Sequence, residues 1–161
     1  MPNWCSNTLK MSGSTEQVDK LEKYLQHNDD DHGLLNFFIP EPLDPPNGKA
    51  SDALPGWYNW RCNNWGTKWE VEVRGLKREG NTLTMSFDSA WSPPIPVYEA
   101  MHAQGWDVVA CYWEPGMGFA GEWRYGRDFY LDYRSPEEVE KYLPIADEEL
   151  GIADALKEWE E

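Results

Sequence analysis

An α+β fold with an antiparallel sheet is predicted by three observations. Stretches of strict apolar/polar alternation and stretches of helical spacing succeed one another in the order strand, helix, strand, strand, helix, strand. The two middle strands are separated only by Glu79-Gly80-Asn81, a hairpin signal. The length of 161 residues, with 40% hydrophobic and 14% aromatic residues, suits one domain that buries about two thirds of its extended surface.

The elements follow in chain order. Asn3 to Met11 alternates Cys5, Asn7, Leu9 and Met11 with Trp4, Ser6, Thr8 and Lys10, and is expected to be a strand. Ser12-Gly13-Ser14-Thr15 breaks it. Ser14 or Thr15 then caps a helix with Val18, Leu21, Tyr24 and Leu25 at helical spacing. From His27 to Asn64 regular pattern is scarce: Asp29, Asp30 and Asp31 run together, and Pro40, Pro42, Pro45, Pro46, Pro55, Gly33, Gly48 and Gly56 are breakers. This stretch reads as a long insertion, pinned to the body by Leu34, Leu35, Phe37, Phe38 and Ile39.

A second strand is expected over about Lys68 to Lys77, with Trp69, Val71 and Val73 on one face and Glu70, Glu72 and Arg74 on a solvated one. Thr82 to Asp88 is the third strand. Trp91-Ser92-Pro93-Pro94 opens a helix over Ile95 to Gln104, stopped by Gly105, and Trp106 to Trp113 is the fourth strand. Gly121 to Tyr125 and Asp128 to Tyr133 read as a hairpin extending the sheet. Ser135-Pro136-Glu137-Glu138 starts a short helix that ends near Leu143-Pro144, and a last acidic helix carries Leu150, Ala153, Leu156 and Trp159. The core order is that of the ferredoxin-like βαββαβ arrangement, with both core helices on one sheet face and the other face free or covered by additions. The domain spans 1–161: core 1–26 and 65–133, insertion 27–64, acidic helical segment 134–161.

Charge and composition narrow the function classes. There are 14 Lys+Arg against 29 Asp+Glu, a net charge of −15 that repels phosphate backbones and anionic lipid, so no direct nucleic-acid binding is expected. The longest apolar run, Val108 to Trp113, is far too short to cross a membrane, and MPNWCSN lacks the features of a signal peptide. A cytoplasmic protein with reduced thiols is expected, since Cys5, Cys62 and Cys111 are odd in number and widely spaced.

No catalytic constellation emerges. Gly116, Gly118 and Gly121 match G-x-G-x-x-G, but Glu122-Trp123-Arg124-Tyr125 reads as strand where a phosphate site needs a helix. His27, His32 and His102 are scattered and no Cys pair has ligand spacing, so neither metal nor cofactor is expected. Two surfaces could carry function. One is an aromatic pocket: Trp57, Trp60, Trp65 and Trp69 fall close together, with Lys68 beside indole faces. Trp4, Asn7, Trp65, Lys68, Trp69, Asp88 and Trp91 are its candidate ligand-binding residues, and the same tryptophans would serve equally as core and as clasp for the insertion. The other is acidic. Phe129 to Glu161 carries a net charge of −8, and Glu137, Glu138, Glu140, Asp147, Glu148, Glu149, Asp154 and Glu158 are candidates for protein interaction or simply a solvated face.

MPNWCSNTL (Met1 to Leu9), WGTKW (Trp65 to Trp69) and AWSPP (Ala90 to Pro94), in this order and spacing, resemble a phage and plasmid family with a YubB-like, ferredoxin-like domain. The resemblance implies the same βαββαβ fold and a mobile-element origin, and brings no reaction and no residue roles. Three functions stay open. The first is a non-enzymatic binding protein that contacts a host protein through its acidic surface and inhibits a defence or nucleic-acid-handling complex. The second is a domain, in one version an enzyme, that binds a small molecule or nucleotide derivative in the tryptophan pocket. The third is a homodimer formed through the open sheet face or an edge strand.

Overall fold

A computed structural model describes residues 3–27, 33–43 and 56–161. The Asp29 to Asp31 run, His32, Pro45, Pro46, Gly48 and Pro55 lie outside the described residues.

Strand β1 (Trp4–Ser12) buries Cys5, Asn7, Leu9 and Met11 on one face, as the alternation requires. Helix α1 (Thr15–Leu25) starts at a reciprocal capping box: Gln17 N donates to Ser14 Oγ at 3.1 Å and Ser14 N donates to Gln17 Oε1 at 2.9 Å. Two short helices interrupt the stretch read as irregular, α2 (Leu34–Phe38) and α3 (Gly56–Asn64). Leu34, Leu35 and Phe38 are buried in the main core and do pin this stretch to the body.

The second strand starts later than its alternation suggested, as β2 (Arg74–Glu79). The reason is Glu70. Its carboxylate accepts from Leu35 N (2.9 Å), Asn36 N (2.8 Å) and Val71 N (2.9 Å), so it closes the first turn of α2 and holds residues 70–73 outside the ladder. Glu70 is therefore half-buried and engaged, a correction to the solvated face expected for it.

The remaining elements are β3 (Thr82–Ala90), α4 (Ile95–Ala103), β4 (Asp107–Glu114), β5 (Phe119–Arg124), β6 (Arg127–Asp132), α5 (Pro136–Tyr142), α6 (Pro144–Leu150) and α7 (Ile152–Trp159). The expected last helix is two, because Gly151 takes the left-handed φ of 62° between them. Gly116 and Gly118 lie in the β4–β5 turn, and Gly121 lies on β5 beneath the Tyr112 ring, where a Cβ would meet it at 2.2 Å. All six strands form one sheet in the order β2-β3-β1-β4-β5-β6, every neighbouring pair antiparallel.

The two sheet faces are covered by different helices. On the first, Leu9, Leu83, Phe87, Val108 and Trp123 pack with Val18 and Leu21 of α1, α2, and Val97 and Met101 of α4. On the second, Cys111 and Trp113 of β4 and Ala120 of β5 pack with Val139, Leu143, Ala146 and Ile152 of α5–α7. This second layer covers β4 and β5. The registers Lys10↔Thr84 and Thr8↔Ser86 line up a polar strip on β1 and β3 beside it.

Candidate functional site

The three segments Asn3–Leu9, Trp65–Trp69 and Ala90–Pro94 interlock at one end of β1 and β3. Trp91 N donates to Asn3 O (2.8 Å), Thr67 Oγ1 to Ala90 O (2.8 Å) and Ser92 Oγ to Gly66 O (2.6 Å). Trp91 has φ 67°, a conformation uncommon for a bulky residue and sustained by this network. Outside the network the Lys68 ammonium sits between two indoles, 4.3 Å from the Trp69 ring centre and 4.2 Å from that of Trp91, and Trp4 lies 5.8 Å from Trp69. Trp4 and Trp91 are each 47% exposed and Trp69 36%. Among the candidates of the aromatic pocket, the structure thus brings Trp4, Lys68, Trp69 and Trp91 together as a surface cluster.

The other three stand apart. Trp65 is core: it meets Trp60 edge-on at 5.5 Å, donates its indole N–H to Ile39 O at 2.8 Å, and carries the Arg61 guanidinium on its ring. That guanidinium forks onto Glu41 at 2.6 and 3.0 Å, so Trp65 clasps the inserted stretch. Asn7 is buried and satisfied, donating to Cys5 O (3.0 Å) and Ser89 Oγ (2.9 Å) and accepting from Tyr98 Oη (2.8 Å). Asp88 pairs with Ser6 in register, one residue out of step with Asn7↔Phe87, so it lies on the face opposite Asn7, the face of Trp4, and there its carboxylate is taken up by Arg74 at 3.1 Å.

The acidic candidates divide by role. Glu138 accepts from Arg134 N (2.9 Å) before α5, Asp147 accepts from Ala153 N (2.7 Å) in α7, and Glu140 pairs with Lys157. Glu137, Glu148, Glu149, Asp154 and Glu158 are exposed, and among the described residues none of them is in an ion pair. The layer is anchored by Glu122, a fully buried residue of β5 whose Oε2 accepts from Ile145 N (3.2 Å) and Ala146 N (3.4 Å) at the start of α6. Its Oε1 has no hydrogen-bond partner. Sequence alternation carried no sign of Glu70 or Glu122 as anchors, because each reaches a backbone distant in sequence.

Where the second layer stops, a groove of about 360 Å³ runs between α6 and the polar strip. Thr8, Thr84, Ser86 and Lys10 line its floor, Ile145 and Glu149 its α6 side. Cys62 is half-buried, and burial pushes the Cys5 and Cys111 thiols up to about 12, so both are protonated near neutral pH. The two sit on opposite sheet faces, Cys5 in phase with Asn7 and Cys111 paired with Thr8, and all three cysteines are free. Among the described residues no group of His, Cys, Asp and Glu could hold a metal ion, and no helix is long and apolar enough to cross a membrane.

No protein-family model and no curated protein matches the chain. Its fold is similar to the crystal structure of a protein api92 from Yersinia pseudotuberculosis, assigned to the family model DUF1281, with a TM-score of 0.53 and 11% identity over 84% of this chain and 99% of that one.

Proposed function

We propose that this is a non-enzymatic binding protein, phage- or plasmid-encoded and cytoplasmic in the host, whose α5–α7 layer engages a basic surface of a defence or nucleic-acid-handling complex. The observation that carries the reading is the set Glu137, Glu148, Asp154 and Glu158, exposed on three anchored helices without ion-pair partners among the described residues. Such acids cost little to hold in place and attract a cationic groove that binds phosphates. The strand order β2-β3-β1-β4, extended by β5 and β6, supports a ferredoxin-like body, and the mobile-element origin rests on the resemblance of the three motifs alone. Capture from bacterial lysate tests the function. Wild-type protein is expected to retain a basic partner at low salt and lose it at high salt, and Glu137→Lys/Glu148→Lys/Glu158→Lys should lose it at both. Equal capture by the charge-reversed protein would overturn the reading.

A second reading is favoured by the Lys68 clamp. Three exposed indoles around a fixed ammonium offer stacking and charge to a planar anionic ligand such as a nucleotide derivative. Quenching of tryptophan fluorescence by nucleotides, abolished in Trp69→Ser, is its test; no quenching would remove it.

A further inference from the structure

The groove beside α6 shares Glu149 with the acidic layer and is otherwise lined by residues of neither surface discussed so far. The floor is sheet and the wall is helix, both held rigidly, the wall through Glu122. At the β2 side the ladder shifts register between Arg74 and Lys77, and Gly75 there, at φ 63°, has open space where a Cβ would stand. The groove therefore stays open at that end. Its volume of about 360 Å³ lies at the small end of the range for ligand sites.

Two opposite charges line it without meeting. Lys10 comes from β1 and Glu149 from α6, both are exposed, and among the described residues neither is in an ion pair. Hydroxyls share the lining with them: Ser86 Oγ makes only a long 3.5 Å contact to Arg74 O, and Thr84 has no side-chain hydrogen bond among the described residues. Val109 and Ile145 add aliphatic surface, and no lining residue is aromatic. A phosphate would meet the carboxylate of Glu149, and a simple cation would meet Lys10. A molecule bearing both signs would satisfy both.

We propose that this groove binds a small zwitterion with one carboxylate and one ammonium group, the chemistry of a free α-amino acid, its carboxylate on Lys10, its ammonium on Glu149 and its side chain against Ile145 and Val109. Cys111, which lines the groove opposite Thr8 in the ladder, is kept protonated by burial and adds no charge there.

The test is a titration of the ¹⁵N-labelled full chain, observed by amide chemical shifts, with each protein-forming L-amino acid in turn and with acetate and methylammonium as single-charge controls. The proposal expects at least one amino acid to shift the amides of Thr8, Lys10, Ser86 and Glu149 saturably while both controls leave them unmoved. Lys10→Met and Glu149→Gln, both surface changes, should each weaken that binding about tenfold or more with the remaining spectrum preserved. It is overturned if no amino acid shifts these amides, if acetate or methylammonium reproduces the shifts, or if both variants bind as wild type does. The charge-reversal set that tests the acidic layer leaves Glu149 in place, so the two failures are distinguishable.

Discussion

The tryptophan cluster and the acidic layer are both surface features, but the chain holds them by different means. The cluster is part of the main core's own wiring: three backbone-anchored segments meet there, Asn7 ties β1, β3 and α4 together and connects to the cluster through Ser89 and Ser92, and even its half-buried lysine is gripped. The acidic layer has a small core of its own and reaches the sheet through that core and Glu122. Side chains in the first region are fixed by folding, whereas most acids in the second could change with little cost to the fold. On the proposed reading, that freedom is what leaves the unpaired acids available to a basic partner.

The largest expected effect lies in the network that reaches the cluster through Ser89 and Ser92. Asn7→Ala leaves the buried Tyr98 hydroxyl without its acceptor and Ser89 Oγ with only its bond to Ser92 O, and is expected to cost about 3 kcal/mol, read as one cooperative shift of the denaturation midpoint. A cost below about 1 kcal/mol would break the claim that the cluster belongs to the core. Next, Glu122→Ala orphans the Ile145 and Ala146 amides and is expected to cost about 2 kcal/mol. Hydrogen exchange should then quicken across residues 136–159 more than in β1 or β3; uniform acceleration would mean that the layer is not a separate unit. Third, Lys68→Met removes a half-buried cation–π clamp at the surface, with an expected loss of about 1 kcal/mol in urea titration.

The smallest effect is one of pH. Burial raises the Glu70 carboxyl above the usual carboxylate range. A folded-state value above the unfolded one means that the folded chain binds more protons in that window, so Glu70's share of stability is greatest at low pH and is lost as pH rises through the folded value. Wild type should therefore gain stability relative to Glu70→Gln as pH falls from 7 toward 5, measured by Tm; a parallel pair of curves would contradict the burial of this carboxylate.

Much of the fold was legible locally. The Ser14 box, Ser135, which accepts from Glu138 N at the start of α5, and the Glu79–Asn81 turn are signals written within a few residues, and β1 and β3 carry their alternation openly. The misreadings came where a distant backbone supplied the partner. Trp69, Val71 and Val73 alternate as a strand would, yet Glu70 turns inward to α2 and the ladder begins at Arg74. The expected aromatic pocket failed to gather for a similar reason. Asn7 and Asp88 looked like neighbours, but a one-residue difference in register puts them on opposite sheet faces, and Trp65 is drawn inward by Ile39 O. The groove could not be read at all, since it exists only where α6 is laid beside the polar strip.

The most direct measurement is a hydrogen-exchange footprint of the complex captured at low salt, compared with free protein. The account predicts protection concentrated over residues 136–159, with Trp4, Trp69 and Trp91 and their neighbours unchanged. Protection of the tryptophan cluster with α5–α7 exchanging as in the free protein would contradict it.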